Sequence, residues 1–157
     1  FIKSAAEAGV DGLLTVDLPP EEADLIVPWL REVGMDAIFL ISPTTTDNRI
    51  RQISDHCSGY VYYVSLKGVT GSAAIDTGAV ADRVNHIHAL TALPVGVGFG
   101  IRDAATAASV GAVSDGVIVG SVIVNLLGEH PQGGEPLHQA LRELVTPMRE
   151  QLDALKP

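Results

Sequence analysis

Residues 93–121 read LPVGVGFGIRDAATAASVGAVSDGVIVGS and decide the fold. The stretch contains an apolar run that ends in glycine, a helical pattern, and a second apolar run that also ends in glycine. A strand that passes through glycine into a helix leaves backbone N–H groups bare at the positive end of that helix. Two such ends side by side predict a receptor for a phosphate dianion. In a parallel α/β barrel this site lies in the loops after the last two strands.

The same strand–helix unit recurs along the chain. Five apolar runs are nearly continuous rather than alternating, which is typical of parallel strands covered on both faces. They are residues 12–16, 37–41, 60–64, 93–97 and 116–119. Helical patterns occupy residues 21–33, 48–57, 79–90 and 103–110, and an amphipathic helix is predicted over 137–155. We therefore predict one α/β domain over residues 1–157, built as a barrel or as an open parallel sheet.

Composition excludes several classes of protein. The formal net charge of −9 repels polyphosphate, so we expect no nucleic-acid partner. The sequence has no apolar run long enough for a membrane span, and none is predicted. The single cysteine, Cys57, fits a reducing cytoplasm and is predicted to be a small core residue at a helix end.

Polar or glycine-rich loops follow the predicted strands, so one edge of the sheet collects the candidate site. Asp17 ends the first strand and is either a general base or, as we favour, a structural residue. Residues 65–78 form a long glycine-rich loop, interpreted as a lid rather than an ordinary surface loop. Lys67 lies in that loop beyond the strand, which argues against a Schiff-base role.

Aromatic and imidazole side chains give weaker signals. Tyr60 and Tyr62 share one face of a strand, where Tyr62 either lines a barrel interior or packs in the core. His86 and His88 are two positions apart on a helix and point to different sides of it. No metal site is predicted.

Five motifs occur in the order seen in the tryptophan synthase alpha subunit family, which this chain resembles. They are residues 16–22 (VDLPPEE), 62–65 (YYVS), 68–71 (GVTG), 97–101 (VGFGI) and 115–121 (DGVIVGS). The resemblance runs from Phe1 to about Leu127 and then includes the terminal helix. It implies a (β/α)8 TIM barrel of which this chain holds about strands 4–8. It also implies a lyase that splits indole-3-glycerol phosphate into indole and glyceraldehyde 3-phosphate.

The resemblance assigns roles to individual positions. Tyr62 and Ile118 match residues that line the indole pocket, Thr70 matches the lid threonine, and Asp17 matches an aspartate involved in signalling to the partner. The positions that match the family's substrate and phosphate-binding segments are Gly71, Phe99, Gly100, Gly120 and Ser121. The implied partner is a pyridoxal phosphate-dependent beta subunit in an alpha2-beta2 complex. No cofactor is therefore expected in this chain.

The family's two catalytic carboxylates, a glutamate and an aspartate, lie in the first three βα units, and no residue here matches them. We expect this polypeptide alone to be inactive. Its first and last strands are expected to be open edges that favour self-association. Two other functions stay open: a phosphosugar isomerase or epimerase, for which Asp17 is the obvious base, and a non-catalytic half-barrel module.

Overall fold

The computed structural model of the protein describes residues 1–65, 76–98 and 100–155. The strands are β1 Gly12–Leu14, β2 Asp36–Ile38, β3 Leu40–Ile41, β4 Val61–Val64, β5 Val95–Gly98 and β6 Gly116–Ile118. The helices are α1 Ile2–Glu7, α2 Val27–Glu32, α3 Asp47–His56, α4 Thr77–His88, α5 Ala104–Gly111, α6 Ser121–Glu129 and α7 Gly134–Asp153. A 3₁₀ helix, Pro20–Leu25, precedes α2.

All strand pairs are parallel, which confirms the predicted α/β class. β1 pairs with β2, and a four-stranded sheet has the order β3-β4-β5-β6. The run predicted as one strand over 37–41 is two strands, because the chain changes partner at Phe39. Ile38 is the last residue paired with β1, and Leu40 is the first paired with β4. The five predicted strands are therefore six in the described part of the chain.

The two faces of the four-stranded sheet differ in burial. Residues that alternate along β4 and β5 share one face and are at most 4% exposed: Val61, Tyr63, Val95 and Val97. They pack in one cluster with apolar residues of α4 and α5. On the opposite face, Tyr62, Val64 and Ile118 are only partly buried. The helix-covered face therefore forms the core, and the other face is open enough to line a site.

At the amino-terminal edge of the sheet, two side chains accept hydrogen bonds from strand amides that the backbone ladder leaves unpaired. Ser58 precedes β4, and its Oγ accepts a hydrogen bond from the Ala37 amide at 3.1 Å. Asp115 precedes β6, and its Oδ2 accepts from the Val95 amide at 2.7 Å and contacts His88 Nε2 at 2.8 Å. Each bond satisfies a strand amide beyond the end of the backbone ladder. The amino ends of neighbouring strands are thus fixed to one another.

The terminal amphipathic helix is longer at its amino end than the sequence indicates. The helix predicted over 137–155 is α7, which spans 134–153 and continues through Pro147. Met148 is buried, and Leu152 lies so close to Gly111 of α5 that a side-chain carbon at Gly111 would overlap it. No helix in the described ranges is both long and apolar enough to cross a bilayer.

Cys57 is the C-cap residue of α3 and is 7% exposed, as predicted for a core residue at a helix end. Its Sγ lies 3.0 Å from the Tyr60 carbonyl oxygen, to which the thiol donates. Burial raises the pKa of the thiol to about 11. The protonated, buried sulfur is therefore suited to packing rather than to nucleophilic chemistry.

Asp47 and His86 connect α3 to α4 through a 2.8 Å contact between Oδ1 and Nε2. The hydrogen bond from His86 lowers the pKa of the Asp47 carboxyl below its usual value. A carboxyl whose pKa is lower in the folded than in the unfolded state stabilises the fold above its unfolded pKa. That stabilisation is lost as the pH falls through the pKa of the carboxyl in the folded state.

We expect His86→Ala to lower the free energy of unfolding most above about pH 5, with a difference from wild type that shrinks below about pH 4. Urea unfolding between pH 3 and 6 measures this difference. Asp47→Asn removes the titrating carboxyl. Its free energy of unfolding is expected to depend less on pH than that of wild type, as for His86→Ala. A His86→Ala difference that stays constant down to pH 3 contradicts the assignment.

Candidate phosphate and indole site

The turns after β5 and β6 lie at the same level of the sheet. Gly98 pairs with Ile118 at the carboxyl ends of these neighbouring strands. Gly100 and Gly120 each follow two positions later, and both residues are exposed. Neighbouring strands are about 4.8 Å apart, so the two turns begin side by side. Gly100 has φ of 75°, a left-handed conformation that side chains other than glycine rarely adopt.

The amino end of α6 points its free amides at this edge. Gly120 is the N-cap residue and makes no side-chain cap, and its carbonyl accepts from Ile123 N at 2.9 Å and Val124 N at 3.1 Å. The first amides of a helix have no acceptor inside the helix. Ser121, the first residue of α6, is exposed. This helix end can therefore donate to an anion.

The amino end of α5 differs from the sequence-based prediction. Asp103 is its N-cap and accepts from Thr106 N at 2.8 Å, while Thr106 Oγ1 accepts from Asp103 N at 3.1 Å. Thr106 Oγ1 also donates to Asp103 Oδ1 at 2.9 Å, and the hydrogen bonds that the carboxylate accepts from Thr106 lower its pKa. The prediction of bare amides needs correction at α5, where a reciprocal capping box occupies the amide of Thr106, the third residue of the helix. Its turn contributes through Gly100 instead.

Tyr62 and Ile118 lie on the open face of the sheet, on either side of β5. Tyr62 pairs with Gly96 across the β4–β5 ladder, and its ring extends over Gly98. A Cβ built on Gly98 would lie 2.5 Å from Tyr62 Cζ, so only glycine fits beneath the ring. Partial burial raises the pKa of the Tyr62 hydroxyl. The Tyr62 ring thus covers Gly98, and the Ile118 side chain reaches over Gly96, next to the Gly100 and Gly120 turns.

Gly96 and Gly98 have a role that sequence reasoning missed. The sequence interpretation counted Gly96 within the apolar run 93–97 and gave neither glycine a packing role, whereas both are buried residues inside β5. A Cβ on Gly96 would lie 3.0 Å from Ile118 Cδ1 and 3.1 Å from the Tyr60 ring. Their alternation at every second position is the signal that could have shown it, because such residues share one face of a strand.

Asp17 lies in a different part of the same edge. It is exposed and lines a cavity of about 400 Å³ with the loop after β1, Phe39, Leu40 and the α3 residue Arg49. Arg49 pairs with Glu21 through two hydrogen bonds, with Nη1–Oε1 at 2.5 Å and Nη2–Oε2 at 3.1 Å. The guanidinium is therefore already neutralised. No side-chain hydrogen bond or ion pair between described residues involves Asp17, and its role stays a prediction.

Several predicted positions lie outside the described residues. Thr70 and Gly71, together with Lys67 and most of the predicted lid over 65–78, fall within 66–75. Phe99 is also outside the described ranges. Their assignments stay predictions from sequence. The described site therefore consists of Gly100, Gly120 and Ser121 at the turns and of Tyr62 and Ile118 on the sheet.

Comparisons with known proteins identify the family of the chain. A sequence profile of the tryptophan synthase alpha chain matches residues 1–153. The tryptophan synthase alpha chain of Marinobacter nauticus is 63% identical over 155 residues, and that of Thioalkalivibrio sulfidiphilus is 55% identical over 153 residues. A crystal structure of tryptophan synthase subunit alpha from Legionella pneumophila superposes with a TM-score of 0.82 at 39% identity.

The matches cover nearly all of this chain but only part of each relative. They include 99% of the chain and 57% of the Marinobacter protein, and 98% of the chain and 56% of the Legionella structure. The chain thus spans a little over half the length of these relatives, which fits a partial barrel. Both the resemblance seen in the motifs and the predicted fold are confirmed. The chain belongs to the tryptophan synthase alpha chain family.

Proposed function

We propose that this chain forms the phosphate and indole half of an alpha-subunit active site that cleaves indole-3-glycerol phosphate. The observation that carries the proposal is the Gly98–Ile118 register, which sets the Gly100 turn beside the uncapped end of α6. The products would be indole and glyceraldehyde 3-phosphate. Family membership supports this activity over an isomerase, an epimerase or a non-catalytic module, none of which is favoured by an observation.

The phosphate would bind at the turns. Backbone amides at Gly100, Gly120 and Ser121 are neutral donors, which suits an anion site in a chain of net charge −9. The positive end of α6 adds a favourable field for a dianion. Phe99 and Gly71 complete the set of positions that the resemblance assigns to substrate binding.

The indole ring would lie on the open face of the sheet. The Tyr62 ring and the Ile118 side chain offer apolar surface, and Gly98 makes room for the Tyr62 ring. An aromatic ring packs well against another ring and an aliphatic side chain. Phosphate binding at the turns would hold the other end of the substrate, so the reacting carbon–carbon bond would be fixed between two anchors.

Chemistry would depend on two carboxylates that no residue of this chain matches. In the cleavage, the bond between the indole ring and the glycerol phosphate breaks, the ring carbon gains a proton, and a glycerol hydroxyl loses one. The resemblance assigns these proton transfers to a glutamate and an aspartate. We therefore propose that the present chain binds and orients substrate but does not complete the reaction alone.

The partner we propose is a tryptophan synthase beta subunit, with pyridoxal phosphate held by that partner and no cofactor in this chain. Asp17 and the loop through Pro20 lie at the carboxyl edge, beside the 400 Å³ cavity, where they would transmit the state of the site to the partner. A biosynthetic role fits a cytoplasmic location.

Ser121→Glu tests the phosphate site. A carboxylate at the first position of α6 favours the helix through its dipole, so folding is expected to be preserved. The same carboxylate would repel phosphate and occupy the amides. We expect roughly 10- to 100-fold weaker binding of glycerol 3-phosphate. This factor corresponds to the loss of about one charge-assisted hydrogen bond. Titration calorimetry measures this in a chimaera in which this chain replaces the 155 matching residues of the Marinobacter relative.

Ser109→Glu is the matched control, because Ser109 is also exposed but lies within α5. It is expected to leave binding unchanged. Equal affinity of the two variants for glycerol 3-phosphate would remove the support for a phosphate site at this turn. Indole release by the chimaera, followed in the same preparation, separates loss of binding from loss of the reaction.

A further inference from the structure

Arg102 brings a positive charge to the carboxyl edge. It follows Gly100 by two positions, and its side chain is 68% exposed. Consecutive Cα atoms are about 3.8 Å apart, so the Cα atoms of Gly100 and Arg102 are within about 7.6 Å of each other. The backbone of Arg102 is therefore about one arginine side-chain length from the Gly100 turn.

The guanidinium of Arg102 makes no hydrogen bond to the residues that the structure describes. Its nearest acid is Asp103, with Nε and Oδ2 3.7 Å apart, and the other oxygen of that carboxylate caps α5. Five other described arginines donate side-chain hydrogen bonds: Arg49, Arg51, Arg83, Arg142 and Arg149. The remaining described arginine, Arg31, is in the last turn of α2, at the opposite edge of the sheet.

This placement has an electrostatic consequence. The chain carries 19 acidic and 10 basic residues, so its overall field opposes the approach of a dianion. The Debye length is about 8 Å at physiological ionic strength, which is comparable to the distance from Arg102 to the Gly100 turn. A guanidinium that faces only the exposed Asp103 carboxylate, and makes no hydrogen bond to the described residues, reduces that repulsion locally. Neutral amides can then hold the phosphate without having to attract it from solution.

We propose that Arg102 is a specificity-determining residue that attracts the phosphorylated end of the substrate to the Gly100 and Gly120 turns. The inference rests on the proposed function, because it needs a phosphate at those turns. It assigns to Arg102 the capture of the dianion and to the amides its final positioning. Arg102 takes no part in proton transfer.

Steady-state kinetics of the same chimaera test the role. Arg102→Gln is expected to lower kcat/KM for indole-3-glycerol phosphate about three- to tenfold, mainly through KM, as fits one exposed charge acting on a dianion. Arg102→Lys keeps the charge and is expected to restore most of the loss. Arg31→Gln removes an arginine at the far edge that also makes no hydrogen bond to the described residues, and it is the matched control.

Ionic strength gives a second readout that a structural role would not alter. Raising the salt from about 0.1 to 1 M shortens the Debye length from about 10 to 3 Å. The difference between wild type and Arg102→Gln is therefore expected to disappear at high salt. If Arg102→Gln and Arg31→Gln have the same kcat/KM at both salt concentrations, the inference about Arg102 is overturned while the proposed function stands. An unmutated chimaera that neither releases indole nor binds glycerol 3-phosphate overturns the proposed function, and the inference with it.

Discussion

The 157-residue chain, assayed alone, is expected to release no measurable indole from indole-3-glycerol phosphate, whereas the chimaera with the Marinobacter relative is expected to release it. Each general acid or base contributes roughly 10²- to 10⁴-fold to a rate, so loss of both carboxylates lowers the rate by at least roughly 10⁴-fold. Loss of the substrate surface that those segments supply adds to this. A continuous colorimetric or fluorescence assay for indole measures both proteins.

Binding provides the control for this comparison. The Gly100 and Gly120 turns belong to the chain itself, so a folded 157-residue chain is expected to retain weak affinity for glycerol 3-phosphate. Far-UV circular dichroism checks that it is folded. Indole release by the chain alone, at a rate near that of the chimaera, would mean that a residue of this chain performs the proton transfers. Asp17 would then be the first candidate to mutate.

Gly98→Ala is expected to have the second-largest effect. An added methyl group at this position overlaps the Tyr62 ring, with only 2.5 Å to Cζ. The ring must move into the space proposed for indole, or the strands must separate. Overpacking of this kind costs about 1–3 kcal/mol of stability, and a shift of about 1 Å in a substrate-positioning group lowers a rate by about 10²-fold. Thermal unfolding and kcat/KM of the chimaera measure the two effects.

Gly116→Ala is the matched control, because Gly116 lies on the same face of the neighbouring strand and has open space around its Cβ position. It is expected to be near neutral. Gly98→Ala combined with Tyr62→Leu removes the overlapping ring atoms and is expected to recover stability but not activity. Additive effects of the two substitutions on stability would show that Gly98 and Tyr62 do not interact.

Much of the fold follows from local patterns. Continuous apolar runs predict parallel strands, and Val61, Val95 and Val97 are buried on the helix-covered face as this predicts. The opposite face is less covered than such runs indicate. Spacing alone also predicts that Tyr60 and Tyr62 share a face. The order of turns along one edge places Gly100 near Gly120 because parallel strands end together.

Other features depend on contacts that a linear pattern does not contain. The division of residues 37–41 at Phe39 arises because β2 and β3 pair with different neighbours. The capping box of α5 depends on Asp103 and Thr106 adopting reciprocal geometry, although their spacing of three residues is visible. The fit of Tyr62 over Gly98 involves residues far apart in sequence, so it appears only in three dimensions.

The amino-terminal hydrogen bonds of Ser58 and Asp115 have a consequence for how this scaffold can change. These hydrogen bonds fix the strands relative to one another at the amino-terminal edge of the sheet. The loops at the carboxyl edge therefore do not have to hold the strands together. Insertions and substitutions in those loops can then change which ligand binds without destabilising the sheet. Tolerance for new specificity at the carboxyl edge therefore depends on the hydrogen bonds of Ser58 and Asp115 at the opposite edge.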